Sequence, residues 1–133
     1  MLSDQIVYCC GCEKAVMPRL TDGKEIYPHR KDLYSLPFWK CDNCGNYVGC
    51  HHKTKTPTKP LGSIPTPEVR KIRQGLHKTI DEVWRDLKLC SRKRLYKLIS
   101  KHLGREFHSA NVNNKDEASE VLNAFELAFD ELA

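Results

Sequence analysis

Two C-x-x-C pairs, Cys9 with Cys12 and Cys41 with Cys44, carry the clearest chemistry in the chain, with 28 residues between them. Each C-x-x-C turn aims two sulfurs at one point, and two such turns complete the four-thiolate tetrahedron of a closed structural zinc site. The expected cofactor is therefore one structural Zn2+ on these four residues. A disulfide framework, a pair of redox motifs or chance spacing are the rival explanations. Disulfides suit exported chains, whereas this one has an odd total of seven cysteines and opens without a basic start or an apolar core. A reducing, cytoplasmic setting is expected, with no membrane partner, since no apolar stretch approaches bilayer-spanning length.

Cys10, Cys50 and Cys90 are left over. Cys10 lies inside the first turn and could replace Cys9, although C-x-x-C is the commoner chelating spacing. Cys50, beside His51 and His52, is a second candidate. The ordinary role of such an extra thiol is that of a small buried residue.

The elements that must position these sulfurs are short. In residues 1-52, β-like runs flank the cysteines: Ile6-Val7-Tyr8 leads into the first pair, Phe38-Trp39-Lys40 into the second, and Tyr47-Val48 follows it. That pattern is a zinc ribbon. Asp22-Gly23 reads as a hairpin turn between Ala15-Val16-Met17 and Glu25-Ile26-Tyr27. Residues 53-66, rich in proline and threonine, read as a basic linker or extended arm. Helices are expected over about 67-89, 91-103 and 114-132. Thr66 and Pro67 open the first, which carries Val69, Ile72, Leu76, Ile80, Val83, Trp84 and Leu87. Ser91 caps the second, which carries Leu95, Leu98, Ile99 and Leu103 and ends at Gly104. A capping box of Asn114 and Glu117 starts the third, whose stripe is Ala118, Val121, Leu122, Phe125, Ala128, Phe129 and Leu132. The fold class is α+β: a small N-terminal zinc ribbon of antiparallel strands, then a three-helix region over 67-133. With 133 residues and 8% aromatics the core is modest, and a metal staple offsets that deficit.

Charge is strongly segregated beneath a net +5. Residues 1-52 balance six basic against six acidic side chains, 53-105 hold fifteen against four, and 106-133 hold one against seven. The central block has the character of a phosphate-binding surface, and a solvated, self-neutralising surface is the alternative. Within it, Ser91-Arg92-Lys93-Arg94 puts three cations at a helix start, where the macrodipole disfavours them and a phosphate would offset them. Lys97 and Lys101 continue that face, and Lys53, Lys55 and Lys59 offer backbone contacts from the arm.

The string Cys41-x-x-Cys44, Tyr47-Val48-Gly49, His51, Pro60-Leu61-Gly62, then Arg73, His77, Asp81 and Trp84 resembles a zinc-finger-containing family of bacteriophages, prophages and bacteria. The likeness runs from about Cys9 to about Gly104. It implies a zinc site and a phage-related setting inside a bacterial cell or infected host, and no particular activity. Cys10 and Glu13 stand where that family usually has proline and glycine, and Cys50 where it more often has an aliphatic residue, so Cys50 is not carried over as a ligand.

Arg73, His77 and Asp81, four apart, form a ladder on one helical face and, with His51, a candidate polar site. A carboxylate-oriented histidine could serve as a base or grip an anion; the same ladder could equally solvate a flank or fix the helix by hydrogen bonds. No evident nucleophile or second metal set accompanies it. A histidine-metal nuclease would begin at His51 and His52, but the next asparagine is Asn111. The expectation is a non-enzymatic binding protein, with nucleic acid as the first partner class. The alternative is a protein-docking module using Phe125 and Phe129, with the ribbon as scaffold.

Overall fold

The computed structural model describes residues 5–132; the outermost expected bounds, at residues 1–4 and 133, lie outside them. The chain divides at Pro67/Glu68 into two compact units, and the architecture is α+β.

In the first unit each cysteine turn joins two short antiparallel strands. β1 (Val7–Cys9) pairs with β2 (Lys14–Val16) around the first turn. The second turn joins β4 (Pro37–Lys40) to β5 (Tyr47–Gly49), and β4 is also paired with β3 (Arg19–Asp22) in a three-stranded sheet. Trp39, central in β4, faces Leu20 and Val48 and is buried, its indole N–H donating to the Thr58 carbonyl at 2.7 Å. Cys9, Cys41, Val7, Val48, Cys50 and Ile64 complete this core.

The expected hairpin turn at Asp22-Gly23 is not formed. The Asp22 carboxylate accepts the backbone N–H groups of Lys24 and Glu25 and caps a short helix, α1 (Gly23–Ile26). A short acidic side chain before glycine serves a helix start as well as a turn, and here Glu25 decides between them. Its carboxylate receives Arg19 at 2.8 Å, Thr21 at 2.5 Å and Lys40 at 3.0 Å, which needs a helical backbone folded over β3 and β4. Arg19, then Thr21 and Lys40, hold that carboxyl well below the usual carboxylate range.

Residues 53–66 carry no helix or strand. They are nonetheless more than a linker at their C-terminal end, which folds back onto the ribbon. Pro60 bridges Cys50, Leu61 N–H bonds to the Gly49 carbonyl, and Ile64 lies beside Cys9, fully buried. Ile64 N–H donates to Tyr8 and its carbonyl accepts from Cys10, each at 2.8 Å.

The second unit is helical: α2 (Pro67–Asp81), α3 (Arg92–Leu103) and α4 (Lys115–Leu132). α3 and α4 pack against each other around Leu95, Ile99, Val121, Ala124 and Ala128, with Leu76, Ile80 and Val83 in the same core. The first helix does not run unchanged to residue 89. After Asp81 it widens into a π-helical turn, Glu82–Asp86, closed by Leu87 N–H on the Glu82 carbonyl. Lys88 then turns into the left-handed region with φ 53°, leaving Leu87 exposed rather than on the apolar stripe. The Asp81 carboxylate accepts the Trp84 indole N–H at 2.8 Å within this widened stretch. Ser91 caps α3 by accepting from Arg94 N–H, and Gly104 ends it at φ 81°. At α4, Asn114 accepts from Glu117 N–H, while the Glu117 carboxylate takes the N–H of Asn113, so one half of the box is displaced by a residue. Along α4, Ala124 takes the buried place expected of Leu122, which is exposed.

Ile64→Ala removes a fully buried side chain of the ribbon core, and the ribbon is expected to lose about 2–5 kcal/mol of stability. Denaturant unfolding followed by the amide NMR signals of β4 and β5 checks this; a loss under about 0.5 kcal/mol would show that residues 53–66 are not part of the ribbon core.

Candidate metal centre

The sequence folds locally so that four sulfurs face one point. Cys9 ends β1 and Cys12 stands two residues before β2; Cys41 follows β4, and Cys44 closes the next turn. Their Sγ atoms all lie within 4.8 Å of one another, with Cys9 3.4 Å from Cys44 and Cys12 3.6 Å from Cys41. Sulfurs bound to zinc at about 2.3 Å in a tetrahedron stand about 3.8 Å apart, so the set fits zinc. Each close pair takes one sulfur from each turn, so a shared ion would tie the two hairpins together.

The backbone of both turns is shaped for this. Glu13 and Gly45, each following the second cysteine of its pair, adopt φ 55° and φ 80°. Glycine takes that conformation freely, whereas Glu13 carries a Cβ penalty of about 1–2 kcal/mol. The first turn thus keeps the same left-handed residue despite the missing glycine. Gly11 has a second requirement, because a Cβ there would sit 2.5 Å from Asn46 Nδ2 and 3.2 Å from Cys44 Sγ. A larger residue there would displace the Asn46 amide from Cys44 Sγ.

Hydrogen-bond donors converge on the sulfurs. Asn43 Nδ2 reaches Cys12 Sγ and Asn46 Nδ2 reaches Cys44 Sγ, both at 3.2 Å. Burial pushes the Cys9 thiol up to about 12 and also raises Cys41. Burial acts to raise Cys44 too, but the Asn46 backbone N–H and the neighbouring thiols outweigh it and bring it down to about 7. Buried thiols that resist ionisation become thiolates when a dication compensates their charge, and outer donors then orient them. The amides of Asn43 and Asn46 were not singled out from sequence; an asparagine inside or just after the C-x-x-C turn is the signal that marks them.

A zinc-finger-containing domain model matches residues 5–125. The chain belongs to this zinc-finger-containing family. No curated protein and no solved structure matches it. In this zinc-finger-containing domain Cys9, not Cys10, is the sulfur in the cluster, and Cys50 lies outside it. Burial pushes the Cys50 thiol up to about 11, which suits a neutral core residue.

The other sequence-singled residues are arranged differently from the cysteines. The Arg73 side chain is buried, with Nε donating to the Val112 carbonyl at 2.9 Å and a guanidinium nitrogen 3.3 Å from Asn113 Oδ1. It ties α2 to the segment before α4. His77 is half-exposed, 3.8 Å from Asp81, whose other oxygen holds Trp84. The ladder therefore includes a core clamp at Arg73 and a helix-shaping carboxylate at Asp81. In the ribbon, His51 is exposed and its N–H bonds to the Lys59 carbonyl. Lys53, Lys55 and Lys59 are exposed there, and Arg92, Lys93, Arg94, Lys97 and Lys101 are exposed on α3.

Cys41→Ser is expected to abolish stoichiometric zinc and unfold the ribbon, because a buried hydroxyl replaces one of four soft ligands. Metal content by mass spectrometry together with the amide NMR signals of the ribbon strands reads both effects. A variant that retains one zinc per chain and the same unfolding midpoint would overturn the ligand assignment.

Proposed function

We propose that this zinc-finger-containing domain is a non-enzymatic nucleic-acid-binding module, acting through basic side chains of residues 53–105 while the four-cysteine site scaffolds the ribbon. The supporting observation is the α3 surface. Its first turn carries Arg92, Lys93 and Arg94 and no acidic residue, all three exposed. Of the basic residues expected to make contacts, only Lys101 meets a carboxylate among the described ion pairs, Glu131 at 3.3 Å. Asp86 is engaged by Arg85, and Glu120 by Arg105. Cations left unneutralised at a helix start are the arrangement that an incoming phosphate relieves. Lys53, Lys55 and Lys59, exposed on the ribbon unit, would add contacts that set affinity without reading sequence.

The protein-docking alternative has less support. It drew on the apolar face of α4, and Phe125 and Phe129 are packed against the helical core. No described helix is long and apolar enough to cross a membrane. A cytoplasmic site of action in a bacterial cell, and a phage or prophage origin, are part of the same proposal and rest on the family resemblance.

Fluorescence anisotropy of labelled DNA and RNA with zinc-loaded protein, titrated from about 50 to 200 mM salt, tests the reading. Binding that falls by orders of magnitude over that range is expected. Replacing Arg92, Lys93 and Arg94 together by glutamate should abolish it without loss of helix, since acidic side chains suit a helix start. Absence of binding at the lowest salt, or full affinity in the triple variant, would contradict the proposal.

A further inference from the structure

α3 presents more than charge. Arg92, Lys93, Tyr96 and Lys97 line an open groove of about 860 Å³, which residues 106–108 also line. That is within the range of about 300–1,000 Å³ typical of small-ligand sites. Arg92 and Lys93 lie one turn before Tyr96 and Lys97, so cations and ring alternate along one flank. The Arg92 guanidinium carbon stands 4.3 Å from the Tyr96 ring centroid. Tyr96 packs against the helical core with its hydroxyl buried, and buried Phe107 lies 5.3 Å from its ring at 39°, so the Arg92 guanidinium is the planar group laid over the ring. Ser100 Oγ donates to the Tyr96 carbonyl at 2.8 Å and accepts Phe107 N–H at 2.9 Å, which fixes residue 107 against α3. The groove is thus preformed. Glu106 is the one acid lining it, and it faces His108 at 3.2 Å.

We infer that this groove seats one nucleotide of a single-stranded nucleic acid, its phosphate on Lys93 and Lys97 and its base stacked on the Arg92 guanidinium, which the Tyr96 ring backs. The inference rests on the nucleic-acid reading above and narrows it to single strands. Aromatic rings and guanidinium planes both accept stacked bases, and a basic track with interleaved rings is how single strands are held. A duplex presents its phosphates but keeps its base faces stacked inside, so it would leave the guanidinium plane unused. An acidic peptide would likewise satisfy the cations without stacking on the guanidinium plane.

The test uses the full zinc-loaded chain with a labelled oligothymidylate of about 12 nucleotides, compared with a duplex of equal length at the same salt. The single strand should bind at least about tenfold more tightly. Tyr96→Leu should weaken it about tenfold or more with little change in salt slope, while Tyr96→Phe binds like the parent. Lys97→Gln should lower the slope by about 0.7. Should Tyr96→Leu fail to fold, the Arg92 side-chain resonances of the parent protein decide: the oligonucleotide should shift them upfield by stacking, and unmoved resonances would overturn the seat. Equal duplex affinity with a silent Tyr96→Leu would refute the groove and leave the broader proposal standing. No binding of any nucleic acid would remove both.

Discussion

Everything in the first unit depends on four sulfurs being held at one point. Its strands are only three or four residues long and its core is a handful of side chains, two of them ligand cysteines themselves. Such an assembly buries too little apolar surface to offset the entropy of ordering it. A shared dication supplies the missing free energy and, because each close sulfur pair spans both turns, also sets how the two hairpins meet. The close approach at Gly11, the left-handed residues Glu13 and Gly45, and the amides of Asn43 and Asn46 all follow from that requirement.

The second unit has no such need. Its three helices bury a continuous apolar core, and the two polar residues most suggestive of chemistry serve structure there. Arg73 satisfies the Val112 carbonyl, and Asp81 holds Trp84 next to the π-helical turn. With the interior settled by packing, α3 carries exposed cations outward, of which only Lys101 meets a carboxylate among the described ion pairs. The two units thus separate their tasks: metal-dependent order in a segment of balanced charge, and a basic surface on a self-supporting helical one.

The metal ligands were legible because zinc chelation leaves a spacing that chance rarely produces, and the helices because burial against one core imposes a 3.6-residue period. Ser91 and Gly104 were legible as caps for local reasons that need no tertiary knowledge. The failures lie where distant residues decide. Asp22-Gly23 is ambiguous until Glu25 finds Arg19 and Lys40 across the sheet. Ile64 looked like part of a linker because its partners, Tyr8 and Cys10, are more than fifty residues away. The Arg73 ladder was correctly placed on one helix, but the loop that captures Arg73 is set by how α4 begins. The π-helical turn left no trace in the apolar period, which continued through Leu87. The groove beside Tyr96 was invisible because residues 106–108 have no periodic pattern to place them.

The central claim is that Cys9, Cys12, Cys41 and Cys44 hold one metal ion on which the ribbon's order depends. Cobalt(II) titration of the metal-free protein, read by its visible spectrum and by amide NMR, tests this most directly. The account predicts saturation at one ion per chain, the strong bands of a tetrahedral four-thiolate site, and ribbon resonances that disperse only as metal is added while those of α3 and α4 are present throughout. Weak octahedral bands, or a ribbon equally dispersed without metal, would contradict it.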